Sequence, residues 1–392
     1  MLIEGPTNGN GIPSGKVVLV GHPFAPIGMG EHIRCSFRAF RSIGMSVGIK
    51  DALIPQPPDA NLQREFQNYL VERIGSDVNI FHLNGDEIEP TLVRLGTDLP
   101  KDGYNVVYPM WELSHYPKGW AAQLDRFDEI WAASKFTSES IASAVAKPVI
   151  HMPLAGQVQL KGFLGRRYFK IPESSFIFLF FFDLTSHIER KNPFAVLEAF
   201  AQLCSLRPDD DLCLVVKVKG GDLTVEDQYR FHTYSERLKG KLIVIDRLFS
   251  DNEVKNLLRC SDCFVSLHRS EGFGLGLITA MFLGKPVIAT AYSGNMDFMT
   301  ENNSCPVRYK LCDVPQGAYP FGEGQVWADP DVDHAVEYML RLVADRDYAR
   351  TIGIEASRHI RIHFSYRAAG LRYNGRLEEI AQNQLPLRAG HI

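Results

Sequence analysis

The sequence lacks a long apolar segment. Its longest apolar run covers residues 176–182, whereas a membrane-spanning helix needs about 20 apolar residues. The run is typical instead of a buried central strand. Residues 1–16 also lack the apolar core of a signal peptide. These two absences predict a cytoplasmic protein.

A strong excess of either charge is missing too. The formal net charge is −4 over 392 residues, whereas a general nucleic-acid binder normally has a basic surface. The sequence therefore argues against a nucleic-acid partner. Seven cysteines, an odd number, are scattered through apparent core segments, which favours reduced thiols. Cys260 and Cys263 form a CxxC pair without a second pair, so core packing is favoured over a zinc or redox site.

Motifs of several other enzyme classes are absent. The sequence has no Walker loop, no nucleophile elbow and no His, Asp or Glu spacing typical of metal ligands. The aspartates at 209–211 fit a surface turn better than a metal site. Gly28 and Gly30 come too late after the first strand for a dinucleotide-binding fingerprint, and no third glycine follows. A dehydrogenase is therefore disfavoured, and we predict neither a metal nor a cofactor.

The sequence does contain a regular alternation of apolar strands and amphipathic helices, in two halves. Strands of the first half are predicted at 16–21, 47–49, 78–83, 106–108, 129–132 and 148–151. Strands of the second half are predicted at 176–183, 212–218, 241–245, 263–268 and 286–290. Such alternation predicts an α/β protein with two parallel sheets covered by helices, and the default binding site is the cleft between them.

Residues 263–297 are the most informative stretch. They predict a strand, a turn with Glu271 and Gly272, a helix entered through Gly274 and Gly276, and another strand. In open α/β sheets ligands bind at the carboxyl ends of the strands, where a helix N-terminus favours an anion such as phosphate. A carboxylate repels phosphate unless it binds another group, such as the hydroxyls of an attached sugar. The turn therefore indicates a sugar joined to a phosphate.

Other polar residues are predicted to face the cleft. Arg190 and Lys191 precede a helix that Pro193 can begin, which suggests a bound anion between them, with a solvated surface pair as the alternative. Lys217 lies near the carboxyl end of an apolar strand and needs a partner. Glu112 lies in a Pro-Met-Trp-Glu turn that plain core packing does not explain.

Glu271 and its neighbours belong to a wider set of sequence motifs. The motif Ser-Glu-Gly-Phe-Gly-Leu-Gly-Leu-Ile-Thr-Ala-Met at 270–281 is followed by Gly-Lys-Pro-Val-Ile at 284–288, with supporting matches at 27–31, 190–193 and 245–250. Through them the chain resembles the group 1 family of GT-B glycosyltransferases, which are retaining enzymes that use nucleotide sugars. The resemblance spans most of residues 17–385 and is specific mainly in 182–298.

The resemblance implies two Rossmann-like domains that face a cleft. We expect an N-terminal, acceptor-side domain at 1–160 and a C-terminal, donor-side domain at 161–360. A C-terminal helix within 361–392 would pack back on the N-terminal domain. The implied substrate is a nucleotide diphosphate-sugar.

The implied site falls into two groups of residues. The residues assigned to catalysis are Glu271, which would bind the sugar hydroxyls, Arg190 and Lys191, which would neutralise the diphosphate, and Glu112. The residues assigned to donor binding are Gly28, Gly30, Phe273, Gly274, Leu275, Thr279, Lys217, Arg247 and Leu248. Of these, Arg247 and Leu248 lie in the loop expected against the base, and Gly28 and Gly30 close on the diphosphate.

Three positions depart from the family pattern. Thr279 stands where a second Glu usually binds the ribose, and a hydroxyl bonds a ribose more weakly than a carboxylate does. The usual Arg is absent from 182–187, which leaves Arg190 to replace it. Where the family has a His after an N-domain strand, this chain offers Glu112 or His115.

The predicted function is transfer of a hexose or deoxyhexose from a nucleotide diphosphate to a saccharide or lipid-linked acceptor. The family context adds a retaining, metal-independent reaction in surface polysaccharide biosynthesis. Two alternatives stay open: an epimerase or phosphorylase on the same fold, and a non-catalytic sugar-nucleotide-binding partner. Association with the inner face of the membrane is also open. Its only support is Arg34, Arg38 and Arg41 on the first helix, and a solvated face explains them as well.

Overall fold

The structure, a computed structural model, describes residues 17–52, 60–75, 78–220 and 223–388. Residues 1–16, for which the sequence predicts no signal peptide, lie outside the described residues. Within the described part, no helix combines the length and the apolar character needed to cross a membrane.

The first half forms a six-stranded parallel sheet with the strand order β2-β1-β3-β4-β5-β6. Its strands are β1 (Val17–Gly21), β2 (Val47–Asp51), β3 (Val78–Phe81), β4 (Tyr104–Val107), β5 (Glu129–Ala132) and β6 (Val149–His151). Its helices are α1 (Gly28–Ser42), α2 (Ala60–Phe66), α3 (Ile88–Leu95), α4 (Lys118–Leu124) and α5 (Lys135–Ala142). Each strand predicted for this half overlaps one strand of the sheet.

Helix α1 differs from the sequence prediction in two respects. It begins at Gly28 instead of near Glu31, so Gly28 lies in its first turn and not in a preceding loop. Arg34 and Arg38 are buried and form ion pairs with Glu31. A basic face open to solvent or to a membrane was therefore the wrong interpretation for these two arginines, because they are buried and neutralise the half-buried carboxylate of Glu31.

The second half forms another six-stranded parallel sheet, in the order β12-β11-β10-β7-β8-β9. Its strands are β7 (Phe176–Asp183), β8 (Leu212–Lys219), β9 (Leu242–Asp246), β10 (Cys263–Ser266), β11 (Val287–Thr290) and β12 (Cys305–Val307). Its helices are α6 (Arg166–Phe169), α7 (Ile188–Lys191), α8 (Pro193–Leu206), α9 (Val225–Leu238), α10 (Asp251–Cys260), α11 (Leu275–Phe282), α12 (Val332–Ala344) and α13 (Arg346–His363). The strand order reverses between β7 and β10, and ligands of open α/β sheets bind at such a reversal.

Strand β7 shows why a continuous apolar run forms a central strand. Side chains alternate between the two faces of a strand. Ile177 and Leu179 pack into the core on one face, whereas Phe178, Phe180 and Phe182 pack into a separate core on the other. Because helices cover both faces, both alternating sets are apolar.

An antiparallel hairpin in the second half was not predicted. It consists of β13 (Tyr309–Asp313) and β14 (Val326–Pro330), which pair with each other and not with the large sheet. Residues 314–325, the bridging loop, connect the two strands. The bridging loop extends to the first half of the chain.

The last helix, α14 (Tyr366–Arg388), packs along α1 of the first half. A β-carbon at Gly370 would lie 2.4 Å from the carbonyl oxygen of Ala39, so glycine permits this close approach. The prediction of two Rossmann-like sheets that face a cleft, with a C-terminal helix crossing back, is therefore confirmed. The domain boundaries at 160 and 360 stay predictions.

Candidate active site

Two chain segments meet at the carboxyl ends of β7 and β10. After β7 the chain passes through a 3₁₀ turn, Leu184–Ser186, into the short helix α7, which ends with Arg190 and Lys191. After β10 it passes through the turn that carries Glu271 and then enters α11. The reversal of strand order thus brings together three charged residues that the sequence assigns to catalysis.

Helix α7 is fixed to the turn after β10. The Asn192 side-chain amide donates to the carbonyl of Leu267 at 2.9 Å, and the Arg269 amide donates to the carbonyl of Arg190 at 2.8 Å. His187 and Asn192, which flank α7, both have positive φ angles, of 64° and 52°. Such angles are uncommon outside glycine and cluster at functional sites.

Lys191 and Glu271 form a close ion pair, with Nζ 2.5 Å from Oε1. The other carboxylate oxygen, Oε2, lies 3.5 Å from Nη1 of Arg190. Burial alone would raise the pKa of Glu271, but attraction to Lys191 and Arg190 lowers it to about 2. Glu271 is therefore a carboxylate at neutral pH and can accept hydrogen bonds from hydroxyl groups.

Arg190 is almost fully buried, at 3% exposure. Nη1 donates to the carbonyl of Ser270 at 2.8 Å, whereas Nε has no hydrogen-bond partner among the described residues. Burial opposes the charge, but Glu112 and Glu271 hold the pKa of Arg190 above its ordinary value. A buried cation with unused donors is suited to bind an anion.

The glycines after Glu271 allow a tight corner. Gly274 precedes α11 with a φ of 96°, which disfavours any other residue there. A β-carbon at Gly294 would lie 2.1 Å from the carbonyl oxygen of Gly272, so these two backbones touch. That carbonyl also accepts hydrogen bonds from Ser134 and Thr137 of the first half, at 2.6 and 3.1 Å. The corner is therefore held by both halves of the chain.

Three predicted donor-binding residues belong to this corner and the helix after it. Phe273 is fully buried and its ring packs against Phe298, so only its backbone is available to a ligand. Leu275 begins α11 and packs against the core. Thr279 is half-buried in the same helix.

Gly28 and Gly30 lie across the cleft and have different surroundings. A β-carbon at Gly28 would meet no atom of the described residues within 4 Å, whereas one at Gly30 would lie 2.1 Å from the carbonyl oxygen of Ala25. The preceding loop reaches the second half, because Lys219 at the end of β8 donates to the carbonyl of Pro26. Gly28 therefore borders open space beside the cleft, and Gly30 serves close packing.

The remaining predicted residues lie along β8 and before α10. Lys217 is 4% exposed and its ammonium group lies 5.5 Å from the ring centre of Phe249. Burial lowers the pKa of Lys217 to about 8, and the nearby charge of Lys219 adds to this. Arg247 also lies over the Phe249 ring, at 4.6 Å, and Leu248 is 66% exposed. None of these three residues contacts the Glu271 ion pairs in the described part of the chain.

The structure adds Tyr319, a site residue that the sequence analysis missed. Its hydroxyl donates to Oε2 of Glu112 at 2.6 Å, and Oε1 of Glu112 lies 3.8 Å from Nη2 of Arg190. Tyr319 belongs to the bridging loop, so a prediction of the hairpin was needed to find it. The available signal was the presence of strand-favouring residues, Tyr309, Val326 and Trp327, on either side of a loop with three glycines.

The cysteines of the CxxC pair lie in the core, and Asp211 of the aspartate run lies directly before β8. Cys260 donates a hydrogen bond to the carbonyl of Leu164 at 3.2 Å, and Cys263 is buried in β10. Burial raises the pKa of both thiols. Asp211 accepts hydrogen bonds from the hydroxyls of Ser174 and Ser175, as suits a turn before a strand.

Comparisons with known proteins identify the family and the fold. The family model described as glycosyl transferases group 1 matches residues 166–359, which contain the whole second sheet and α7. The chain therefore belongs to the group 1 glycosyltransferases. No curated protein sequence matches it.

Several solved structures share the fold. HepE from Anabaena in complex with UDP-glucose has a TM-score of 0.64 and 12% identity, over 93% of this chain and 100% of HepE. Sucrose-phosphate synthase from Thermosynechococcus elongatus has a TM-score of 0.65 and 15% identity, over 94% and 100% of the two chains. The lipopolysaccharide outer core galactosyltransferase WaaB has a TM-score of 0.58 and 14% identity, over 92% and 98%. At these identities the similarity concerns the GT-B fold.

Proposed function

We propose that the enzyme transfers a hexose or deoxyhexose from a nucleotide diphosphate-sugar to a saccharide or lipid-linked acceptor. The reaction is retaining and metal-independent and belongs to surface polysaccharide biosynthesis. Residues 161–360 hold the donor, residues 1–160 face the acceptor, and residues 361–392 join the two domains. With a lipid-linked acceptor, the enzyme works in the cytoplasm at the inner face of the membrane.

The observation that carries this proposal is a buried Arg190 side chain whose Nε is unbonded within the described part of the chain. Its guanidinium is buried at the reversal of strand order, and its Nε has no partner among the described residues. Leaving a buried donor unbonded costs about 1–3 kcal/mol or more when it is charged. A diphosphate at this point would accept from Nε and remove that cost.

The neighbouring groups have complementary roles. Lys191 and the N-terminal end of α11 would share the diphosphate charge with Arg190, and the charge that develops on the leaving diphosphate needs preorganised donors of this kind. Glu271 would turn from Lys191 toward the sugar hydroxyls. The backbone of Phe273 and Gly274, with Leu275, would contact the sugar and the phosphate.

The outer part of the donor would lie between β8, the loop before α10 and α1. Thr279 would bond the ribose, Lys217 would add positive charge, and Arg247 with Leu248 would lie against the base. Gly28 and Gly30 would border the diphosphate from the first half. The complexes of HepE with UDP and with UDP-glucose support a uridine nucleotide as the first donor to examine.

A binding screen followed by an activity assay tests the proposal. We expect one of UDP, GDP, ADP and dTDP, and the sugar conjugates of that nucleotide, to raise the melting temperature, because a ligand of the native state stabilises it. The same sugar conjugate should then be hydrolysed slowly, or transferred to a saccharide acceptor, with EDTA present. Binding without hydrolysis or transfer would instead support the non-catalytic binding protein. If no nucleotide binds, the site assignment is wrong.

A further inference from the structure

The bridging loop, residues 314–325, connects the second half of the chain to the first. Gln325 accepts a hydrogen bond from the His115 amide at 2.9 Å and donates to the His115 carbonyl at 3.2 Å. The ring of Phe321 lies 5.2 Å from that of Trp120. The loop therefore extends from the hairpin of the second half and packs on residues of the first half.

The bridging loop is packed and has a defined shape. Val314 and Ala318 are buried in the same apolar cluster as Trp111 and Leu113 of the first half. A β-carbon at Gly322 would lie 2.5 Å from the Val314 side chain, so the loop folds closely on itself. Tyr319 is therefore presented from a fixed backbone.

Tyr319 contacts Arg190 and two of the segments around it. Its ring lies 4.8 Å from that of His187, which precedes α7, and 5.8 Å from that of Trp111. The Arg190 guanidinium lies 5.7 Å from the centre of the Tyr319 ring. The hydroxyl donates to Glu112, whose other carboxylate oxygen lies 3.8 Å from Nη2 of Arg190.

The two oxygens of Glu112 have different environments. Oε2 receives the Tyr319 hydroxyl at 2.6 Å, whereas Oε1 stops 3.8 Å from Nη2 of Arg190, beyond hydrogen-bond distance. A carboxylate this close to a guanidinium would normally bond it through two parallel hydrogen bonds. The Tyr319 hydroxyl occupies the oxygen that such a pairing requires.

We propose that Tyr319 is a positioning residue that holds Glu112 away from Arg190 and thereby leaves Nη2 of the buried guanidinium available to the donor diphosphate. The inference rests on the proposed function, since it gives Arg190 a diphosphate ligand. Without the hydroxyl, Glu112 pairs directly with Arg190 and competes with the diphosphate for its N–H groups. The bridging loop thus sets donor affinity from outside the donor-binding sheet.

The test uses the full chain and titration calorimetry with UDP, GDP, ADP and dTDP. Tyr319→Phe removes the hydroxyl and keeps the ring, and it should weaken the best-bound of these nucleotides about tenfold, the usual size of one charge-assisted hydrogen bond. Glu112→Gln should bind it at least as tightly as the wild type. In the Glu112→Gln background, Tyr319→Phe should have no further effect, because the competing carboxylate is gone.

Loss of the Tyr319→Phe effect in the Glu112→Gln background would show that Tyr319 acts through Glu112. If Tyr319 only supported the fold, Glu112→Gln would not restore the nucleotide affinity. Phe321→Leu in the same loop is the matched control, and it should leave the nucleotide affinity unchanged. Equal weakening by Tyr319→Phe in both backgrounds, or unchanged affinity in the single variant, would overturn the inference while the proposed function stands. If the wild type binds none of the four nucleotides, both the inference and the proposed function fail.

Discussion

The ammonium group of Lys191 lies 2.5 Å from the carboxylate of Glu271, although the two residues are 80 positions apart in the chain. They meet because β7 and β10 are neighbours in the sheet, and each residue follows one of these strands. In the proposed donor complex, Lys191 faces the diphosphate and Glu271 faces the sugar. The ion pair therefore links recognition of the two parts of the donor and keeps both side chains in place when the donor is absent.

Glu271→Gln should weaken recognition of the sugar and leave recognition of the diphosphate intact. The amide keeps the size of the side chain but loses the charge that accepts hydrogen bonds from sugar hydroxyls, so we expect sugar transfer or donor hydrolysis to fall about tenfold to a hundredfold. Affinity for the nucleotide diphosphate should change little, because Arg190 and Lys191 remain. Glu189→Gln on the same helix, whose side chain lines a different cavity, is the control. Equal loss of diphosphate affinity and activity would show that Glu271 does not bind the sugar.

Lys217→Met should raise stability at neutral pH. The folded-state pKa of about 8 is below the ordinary value of 10.5, so the unfolded chain binds more protons between these values and wild-type stability should rise with pH there. Below pH 8 the buried charge costs the folded state roughly 1–3 kcal/mol, which the Met variant avoids. Urea unfolding from pH 7 to 10.5 measures this.

The control for Lys217 is Lys219→Met, because Lys219 lies 3.4 Å from Asp183. It should be less stable than the wild type at neutral pH. The difference in unfolding free energy between the wild type and Lys217→Met should change from pH 7 to 10.5. A constant difference would contradict the lowered pKa of Lys217.

Gly30→Ala and Gly28→Ala should act in opposite ways. At Gly30 the added methyl meets the Ala25 carbonyl, so the loop before α1 must move, at a cost of about 1–3 kcal/mol in unfolding free energy. At Gly28 the methyl meets open space and suits a helix, so stability should hold or rise slightly. If Gly28 borders the diphosphate, however, its variant should bind the nucleotide more weakly. Thermal unfolding and calorimetry together distinguish packing from ligand contact.

The large elements were predictable because they depend on local patterns. A seven-residue apolar run is typical of a strand with two covered faces, and β7 has that position. The position of Glu271 was equally predictable, since a strand, a glycine-rich turn and a helix place it at the carboxyl end of the strand. Arg190 and Lys191 were expected at the cleft because they follow a predicted strand and precede a helix that Pro193 can begin, whereas the strand order that places them beside that turn was seen only in the structure.

The rest of the site depends on contacts between distant segments. Nothing near Tyr319 in the sequence indicates that it reaches Glu112, which is 207 positions away. The burial of Arg34 and Arg38 also depends on distant segments. Glu65 of α2 pairs with Arg38, and Lys255 of α10 pairs with Glu31, the partner of both arginines on α1. An arginine spacing on one helix cannot show which other elements cover that helix.

Arg190→Lys should show whether the guanidinium binds the diphosphate. A lysine keeps the charge but not the fork of donors, so it cannot donate to the Ser270 carbonyl and to a phosphate oxygen in the Arg190 geometry at once. We expect UDP affinity to fall tenfold or more, about the value of a charge-assisted hydrogen bond, and uridine affinity to stay unchanged. Arg269→Lys is the control, since Arg269 pairs with Asp329 at 2.7 Å. If UDP and uridine weaken equally, Arg190 acts through the fold of the corner, because only a phosphate ligand distinguishes the two compounds.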